Sequence, residues 1–280
     1  MQCCKSDESG LRSFLRKKLQ EQNFTIIEDD YVPERVSKNP RYASVHNMLA
    51  VRGNPNICLV AHTDVCRDHQ IPNIYYGDVA NAPANRPRVQ PVIKKMEVRE
   101  GDQIITKKII QDKDCKLQVG GDDRLGVAIN SWIGLNTGHD MALLFTTDEE
   151  IGLKSAGKVK FPEIKDYELC LQTDRGNHSH ELVTKIQGTK LCDYETEATL
   201  LEIAYDIRLP RRIVTGLNTD VFRLKENGIC NNAVNMTCGY HDSRSADAGE
   251  YIDIQESIDT LTYCASIVKH YFLRNKKRTK

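Results

Sequence analysis

The chain has 280 residues, with 39 Lys and Arg against 39 Asp and Glu, a formal charge of zero, 40% hydrophobic content and 28% charged content. That length buries one large core or two modest ones, and the composition is ordinary for a globular protein. Balanced charge gives no support for a nucleic-acid or anionic-membrane partner, and no apolar stretch approaches the roughly 20 residues that span a bilayer.

Leu11, Phe14, Leu15 and Leu19 recur at helical spacing between Ser6 and Gln22, which predicts an amphipathic helix. Phe24–Ile27 and His46–Val51 are strand candidates, the second running into the turn signal Gly53-Asn54-Pro55-Asn56. Ile57–Ala61 is an unbroken apolar run, as expected of a strand buried on both faces. Met141–Phe145, Glu168–Leu171 and the stretch from Gly228-Ile229 onward share that character. Helices are predicted over Asp123–Asn136, Glu195–Ile207, Thr219–Glu226 and Asp253–Leu273. The last carries Ile254, Ile258, Leu261, Ala265, Val268 and Phe272 on one stripe. Strands alternating with helices predict an α/β fold, a three-layer αβα sandwich around a mixed, largely parallel sheet, in one domain over residues 1–280.

Residues 66–117 interrupt the alternation with Pro72, Pro83, Pro87 and Pro91, then two β-rich runs, Val89–Val98 and Gln103–Ile110. The turn signal Gly101-Asp102 between the runs predicts a hairpin, on an excursion from the main sheet that is too short for a domain of its own and reads as a small cap beside the site. The basic tail 274–280 is expected to fray. The ten cysteines lie mostly inside apolar runs at no framework spacing, and Met1-Gln2-Cys3-Cys4-Lys5 opens onto charged residues. Free thiols in a reducing, cytoplasmic compartment are expected.

Five segments carry chemistry. His62-Thr63-Asp64 directly follows the buried run at Ile57–Ala61. Imidazole ligates metal well when an acceptor holds its second nitrogen, and a carboxylate two residues along suits that task. Alone, the tripeptide is equally a surface loop. Gly120-Gly121-Asp122-Asp123 opens a predicted helix, where an N-cap with a first-turn acid is the plain alternative to a bridging carboxylate. Asp148-Glu149-Glu150 ends the strongest apolar run. Three acids there repel one another unless cations or hydrogen bonds offset the cost, and two neighbouring glutamates can divide coordination and proton transfer. Asp174 and His241 each follow an apolar run too. Together the five form a donor set of carboxylate and imidazole that suits zinc, manganese or cobalt.

In this order the segments resemble those of the co-catalytic zinc exopeptidases: peptidase T, the leucyl-type and tetrahedral aminopeptidases, and the aminoacylase and carboxypeptidase branch. The resemblance runs from about residue 57 to 254 and extends to Gly216-Leu217-Asn218-Thr219-Asp220 and to Glu250. It implies two divalent ions, zinc or else cobalt or manganese, bridged by Asp122. His62 and Asp174 would hold one ion, and Glu150 and His241 the other. Asp64 would orient His62, and Glu149 would act as general base and then acid. A cis peptide bond between Asp122 and Asp123 is also implied.

The reaction so implied is hydrolysis of an amide in a short peptide or N-acyl amino acid by a metal-bridging hydroxide. The stretches between Asp174 and His241, and between His62 and Asp122, are too short for the lid or extra domains of many relatives. A nearly bare catalytic domain favours an aminopeptidase. Dipeptidase, carboxypeptidase, deacylase and a non-catalytic metal-binding relative stay open, as does homo-oligomerisation.

Other residues invite function without a pattern to support it. His178 and His180 read as loop histidines, Arg208, Arg211 and Arg212 as solvated charges after a helix, and Trp132 as core. Cys66 and His69 repeat no ligand spacing. No nucleophile elbow or phosphate-binding glycine loop appears.

Overall fold

A computed structural model describes residues 5–31, 46–64, 89–115, 118–150, 152–242 and 249–278. Helix α1 (Lys5–Gln20) leads into an antiparallel pair, β1 (Thr25–Glu28) and β2 (Met48–Arg52). Strand β3 (Ile57–His62) follows, then a long hairpin of β4 (Pro91–Glu100) and β5 (Gln103–Asp112). Next come α2 (Gly126–Asn136), β6 (Met141–Thr146), β7 (Leu169–Arg175), β8 (Glu181–Ile186) and the short β9 (Thr189–Lys190). The chain continues through α3 (Tyr194–Asp206), β10 (Arg212–Gly216), α4 (Asp220–Glu226) and β11 (Ala233–Thr237). Strands β12 (Tyr240–His241) and β13 (Tyr251–Asp253) precede the closing helix α5 (Ile254–Arg278).

The main sheet runs β1-β2-β6-β3-β7-β11-β8-β10, with β9 paired to β8. Its centre, β6-β3-β7-β11, is parallel, and antiparallel pairs flank it on both sides. The unbroken apolar runs land in that centre, where β3 and β6 are buried along their whole length. Alternation then divides their side chains between two cores. Leu59 and Leu143 pack with residues of α1, α2, α3 and α5; Cys58, Val60 and Leu144 pack with α4 and with residues 159–167. The sandwich is therefore uneven. Among the described residues, four helices cover one face, and one helix with 3-10 turns covers the other.

A second, smaller sheet runs β12-β13-β5-β4. The hairpin expected around Gly101 is present, in unbroken register from Pro91↔Asp112 to Glu100↔Gln103. Strand β13 pairs with β5 through Tyr251↔Gln111, Ile252↔Ile110 and Asp253↔Ile109, which ties the excursion to the chain beyond His241. The first part of that excursion, residues 65–88 with Cys66 and His69, lies outside the described residues, as do Cys3 and Cys4. The seven described cysteines are free thiols, all but Cys115 buried. Among the described residues no helix is long and apolar enough to cross a membrane.

Several expectations fail for physical reasons. Strands β8 and β10 were not foreseen, because Thr184 and Lys185 break the apolar run of the first and the second has only Ile213 and Val214 as apolar side chains; their opening residues, Glu181 and Arg212, pair with each other at 2.6 Å. Trp132 is half exposed and not core. Arg211, read as solvated, is buried at 9% exposure, its guanidinium 4.9 Å from the Tyr263 ring. The basic tail is helical through Arg278, where Arg274 and Arg278 pair with Glu168 and suit a helix C-terminus.

Candidate metal centre

All the proposed site residues except His241 gather where parallel-sheet folds usually bind ligands, beyond the carboxyl ends of the central strands. His62 is the last residue of β3 and is fully buried. Its Nε2 lies 3.1 Å from Asp122 Oδ1, 3.7 Å from Asp174 Oδ1 and 3.9 Å from Glu149 Oε2. Its Nδ1 is 3.0 Å from the Asp64 carbonyl and 3.4 Å from Asp64 Oδ1. Asp64 does more than face the imidazole. Its two carboxylate oxygens accept from the backbone N–H groups of Glu149, at 3.3 Å, and Glu150, at 3.2 Å. One buried side chain thus joins the loops after β3 and β6.

Asp122 is presented by a turn with π-type hydrogen bonding over Gly121–Leu125, entered through Gly120 at φ 83°. Gly121 has no room for a side chain, since a Cβ there would stand 2.3 Å from Tyr240 Cβ. Glu250 supports the loop by accepting from Gly120 N at 2.6 Å and Asp122 N at 3.4 Å. The Asp122–Asp123 peptide bond is cis. Asp123 turns inward instead of capping a solvated helix start. One of its oxygens accepts from Gly126 N and the other from His62 N.

Asp174, near the end of β7, accepts from Thr219 Oγ1 at 3.1 Å and Gln172 Nε2 at 3.2 Å, while its N–H donates to Asn235 Oδ1. Beside it lies Asp220, fully buried, accepting from Thr146 Oγ1 on Oδ2; its Oδ1 has no partner among the described residues. Asp148, at φ 56°, accepts from the Tyr31 hydroxyl at 2.9 Å.

This much negative charge in one buried place is costly, and the carboxyls register it. Burial, then the field of Asp174 among others, pushes Asp123 well above the usual carboxylate range. Burial does the same to Glu149, helped by Asp174, Asp220 and Asp122. It raises Glu150 to about 8, with Asp122 the next cause, and Asp174 to about 6, again with Asp122 next. Asp220 rises to about 7, mainly by burial. Burial works against an ionised Asp64 as well, but its hydrogen bond with His62 and the Glu149 and Glu150 N–H groups bring it below its ordinary value. Two groups of donor atoms lie mutually within 4.8 Å: His62, Glu149 and Glu150, and His62, Asp123 and Asp174.

No protein-family model matches the sequence, and no curated protein matches it. Solved structures do. A tripeptidase from Staphylococcus aureus superposes with TM-score 0.66 at 14% identity, over 94% of this chain and 92% of that one. Aminopeptidase PepT from Bacillus cereus gives 0.63 at 14% identity, over 94% and 93%. A Zn-dependent exopeptidase from Parabacteroides distasonis gives 0.54 at 11%, over 94% and 89%. The fold is that of the zinc exopeptidases.

Within that exopeptidase fold the structure brings together His62, Asp64, Asp122, Glu149, Glu150 and Asp174, and does not bring His241 to them. Strand alternation separates β12's two side chains. Tyr240 points toward the site, its Oη 3.5 Å from Asp174 Oδ1, whereas His241 Nε2 lies 3.0 Å from Glu256 and its ring stacks on Tyr251. Sequence reasoning missed Tyr240, Tyr31, Gln172 and Asn235. Tyr240 had one usable signal, its place beside His241 in Gly239-Tyr240-His241; its packing against Gly121 and against Gly176, where a Cβ would meet the Tyr240 ring at 2.1 Å, appears only in the fold. The others arrive through packing alone.

Proposed function

We propose that the chain is a two-metal hydrolase of peptide bonds, acting on short peptides as an aminopeptidase. What carries the reading is the convergence on His62 Nε2, within 3.9 Å, of carboxylates from three separate segments, the turn of Asp122, the loop of Glu149 and the end of β7 at Asp174. The donor set fits divalent cations. It holds only carboxylate and imidazole, it is buried, and its raised carboxyls mark negative charge without enough positive charge to balance it. Exopeptidase relatives of the same fold, one of them named as zinc-dependent, support the choice of ion.

His62, Asp122 and Asp174 would hold one ion, and Asp122 with Glu150 the other; His241 would complete the second set only by leaving Glu256, its partner at 3.0 Å. Ions bound there would polarise the scissile carbonyl and acidify the attacking water. The chain's own residues do the rest. Asp64 keeps the Nδ1 side of the His62 imidazole engaged, so that Nε2 faces the donors. Glu149, whose burial makes its carboxylate a stronger base than an exposed one, takes a proton from water in its ionised form and returns it to the departing amine. Asp123 fixes the loop of Asp122 against β3 through the His62 N–H.

The test is a panel of free, amino-blocked and carboxyl-blocked dipeptides, assayed with zinc, cobalt and manganese. Hydrolysis of free and carboxyl-blocked substrates is expected. Cleavage of amino-blocked substrates alone would replace the aminopeptidase with a carboxypeptidase or deacylase, and absence of bound metal from the purified protein would remove the two-metal reading altogether.

A further inference from the structure

Helix α1 lies at the edge of the fold, yet one of its side chains reaches the floor of the site. Arg12 is buried at 3% exposure. Its Nη2 donates to Thr63 Oγ1 at 2.7 Å, to the Thr146 carbonyl at 2.8 Å and to the Phe145 carbonyl at 3.3 Å; its Nε donates to Thr63 Oγ1 at 3.0 Å. Nη1 donates to the His46 carbonyl. These acceptors flank the site. Thr63 stands between His62 and Asp64, and Thr146 ends the strand that leads to Glu149 and Glu150. Thr63 closes the same junction with its N–H and hydroxyl, both 3.0 Å from the Thr146 carbonyl, while its own carbonyl accepts from Arg124 Nε at 2.9 Å.

We propose that Arg12 is a positioning residue for the metal centre, a clamp that sets the separation of the His62–Asp64 and Glu149–Glu150 loops and so tunes affinity for the ions. This rests on the two-metal reading above. The ladder between parallel strands β3 and β6 ends at His62↔Thr146, with one last backbone bond from Thr63 N–H to the Thr146 carbonyl; beyond it the loops are held by side chains, Asp64 from within the site and Arg12 from beneath the strand ends. A planar guanidinium spans the gap because its fixed fork of donors reaches both strand ends at once and never loses its charge. A lysine offers one ammonium and cannot do so. The clamp also has a cost. A cation below the carboxylates repels bound metal through space, so the sign of the effect shows whether geometry or charge governs.

The experiment measures zinc affinity by competition with a chromogenic chelator, and melting temperature without metal, for wild type, Arg12→Lys, Arg12→Met and Thr63→Val. Loss of an outer partner of a metal ligand typically weakens binding about 10–100-fold. We expect at least about tenfold weaker zinc binding in all three variants, with Arg12→Lys no better than Arg12→Met. Thr63→Val keeps shape and charge and removes the hydroxyl that Arg12 grips and that itself donates to the Thr146 carbonyl, so it opens the same junction even if Arg12→Met fails to fold. Folded variants with unchanged or tighter zinc affinity overturn the clamp, whatever their melting temperatures. Wild-type protein that binds no zinc overturns the metal reading itself, a different and separable result.

Discussion

Two places in the molecule combine histidine with carboxylates, and they differ in charge balance. Around His62, seven acids share one imidazole, and burial drives five of them, Asp123, Glu149, Glu150, Asp174 and Asp220, toward their neutral forms. Around His241, Lys107 Nζ pairs with Asp253 at 2.9 Å and Glu256 at 2.7 Å, and Ser179 donates to Glu256 at 2.9 Å. Burial opposes ionisation of Glu256 too, but hydrogen bonds from His241 and Lys107 more than offset it and hold the carboxyl at about 2. The first network is short of positive charge and the second is not. An acid and a histidine in contact are therefore weak evidence for a metal; an uncompensated surplus of buried carboxylate is stronger.

The sharpest way to separate the two is to neutralise Glu149, the proposed proton carrier, in the first. Glu149→Gln should cut kcat by about 10²–10⁴-fold while bound metal, measured by elemental analysis, stays at the wild-type level. Unchanged turnover would take Glu149 out of the chemistry.

His241→Ala tests whether the balanced network contributes to the charged one. If His241 exchanges Glu256 for an ion, metal content should fall from two equivalents to one, whereas retention of both would leave His241 to its pairing with Glu256.

The contrast also predicts opposite responses to pH. In the metal-free protein, Asp174 and Glu150 hold protons more tightly folded than unfolded, rising from ordinary values of 3.8 and 4.5 to about 6 and about 8. Stability from these groups is present below the unfolded values and is lost as pH rises through the folded ones. Metal-free protein should therefore melt lower at pH 8 than at pH 5, and added zinc should reverse the trend. A metal-free melting temperature that rises over that range contradicts the assignment.

Within the balanced network, Lys107→Met leaves Asp253 and Glu256 buried without their cation and should cost about 3 kcal/mol in urea unfolding, with zinc affinity unchanged. A smaller loss, about 1–3 kcal/mol, is expected for Gly121→Ala, whose new Cβ collides with Tyr240 between the two regions. Equal stability would mean that Tyr240 can move.

Much of this was legible in the amino-acid order because local signals coincide with functional ones. The apolar runs at Ile57–Ala61, Met141–Phe145 and Glu168–Leu171 became β3, β6 and β7, and each leads directly to a proposed site residue or its loop. A residue at the carboxyl end of a buried parallel strand has nowhere to go but the common rim, so His62, Glu149, Glu150 and Asp174 could be grouped before their positions were known. Local pattern failed where burial depends on the neighbour. Trp132 sits on a helix whose pattern does not say which face is covered, and Arg211 is polar yet lies buried against Tyr263.

Chain order alone therefore settled the α/β architecture and which loops meet, since periodicity and strand burial are properties of short segments. Tertiary packing decided which way each side chain turns and what supports it. That Tyr240 faces Asp174 while His241 faces Glu256, and that a guanidinium from the first helix grips Thr63, depend on contacts between residues far apart in the chain. Such contacts leave no mark in any short window, because their free energy exists only once the distant surfaces have been brought together.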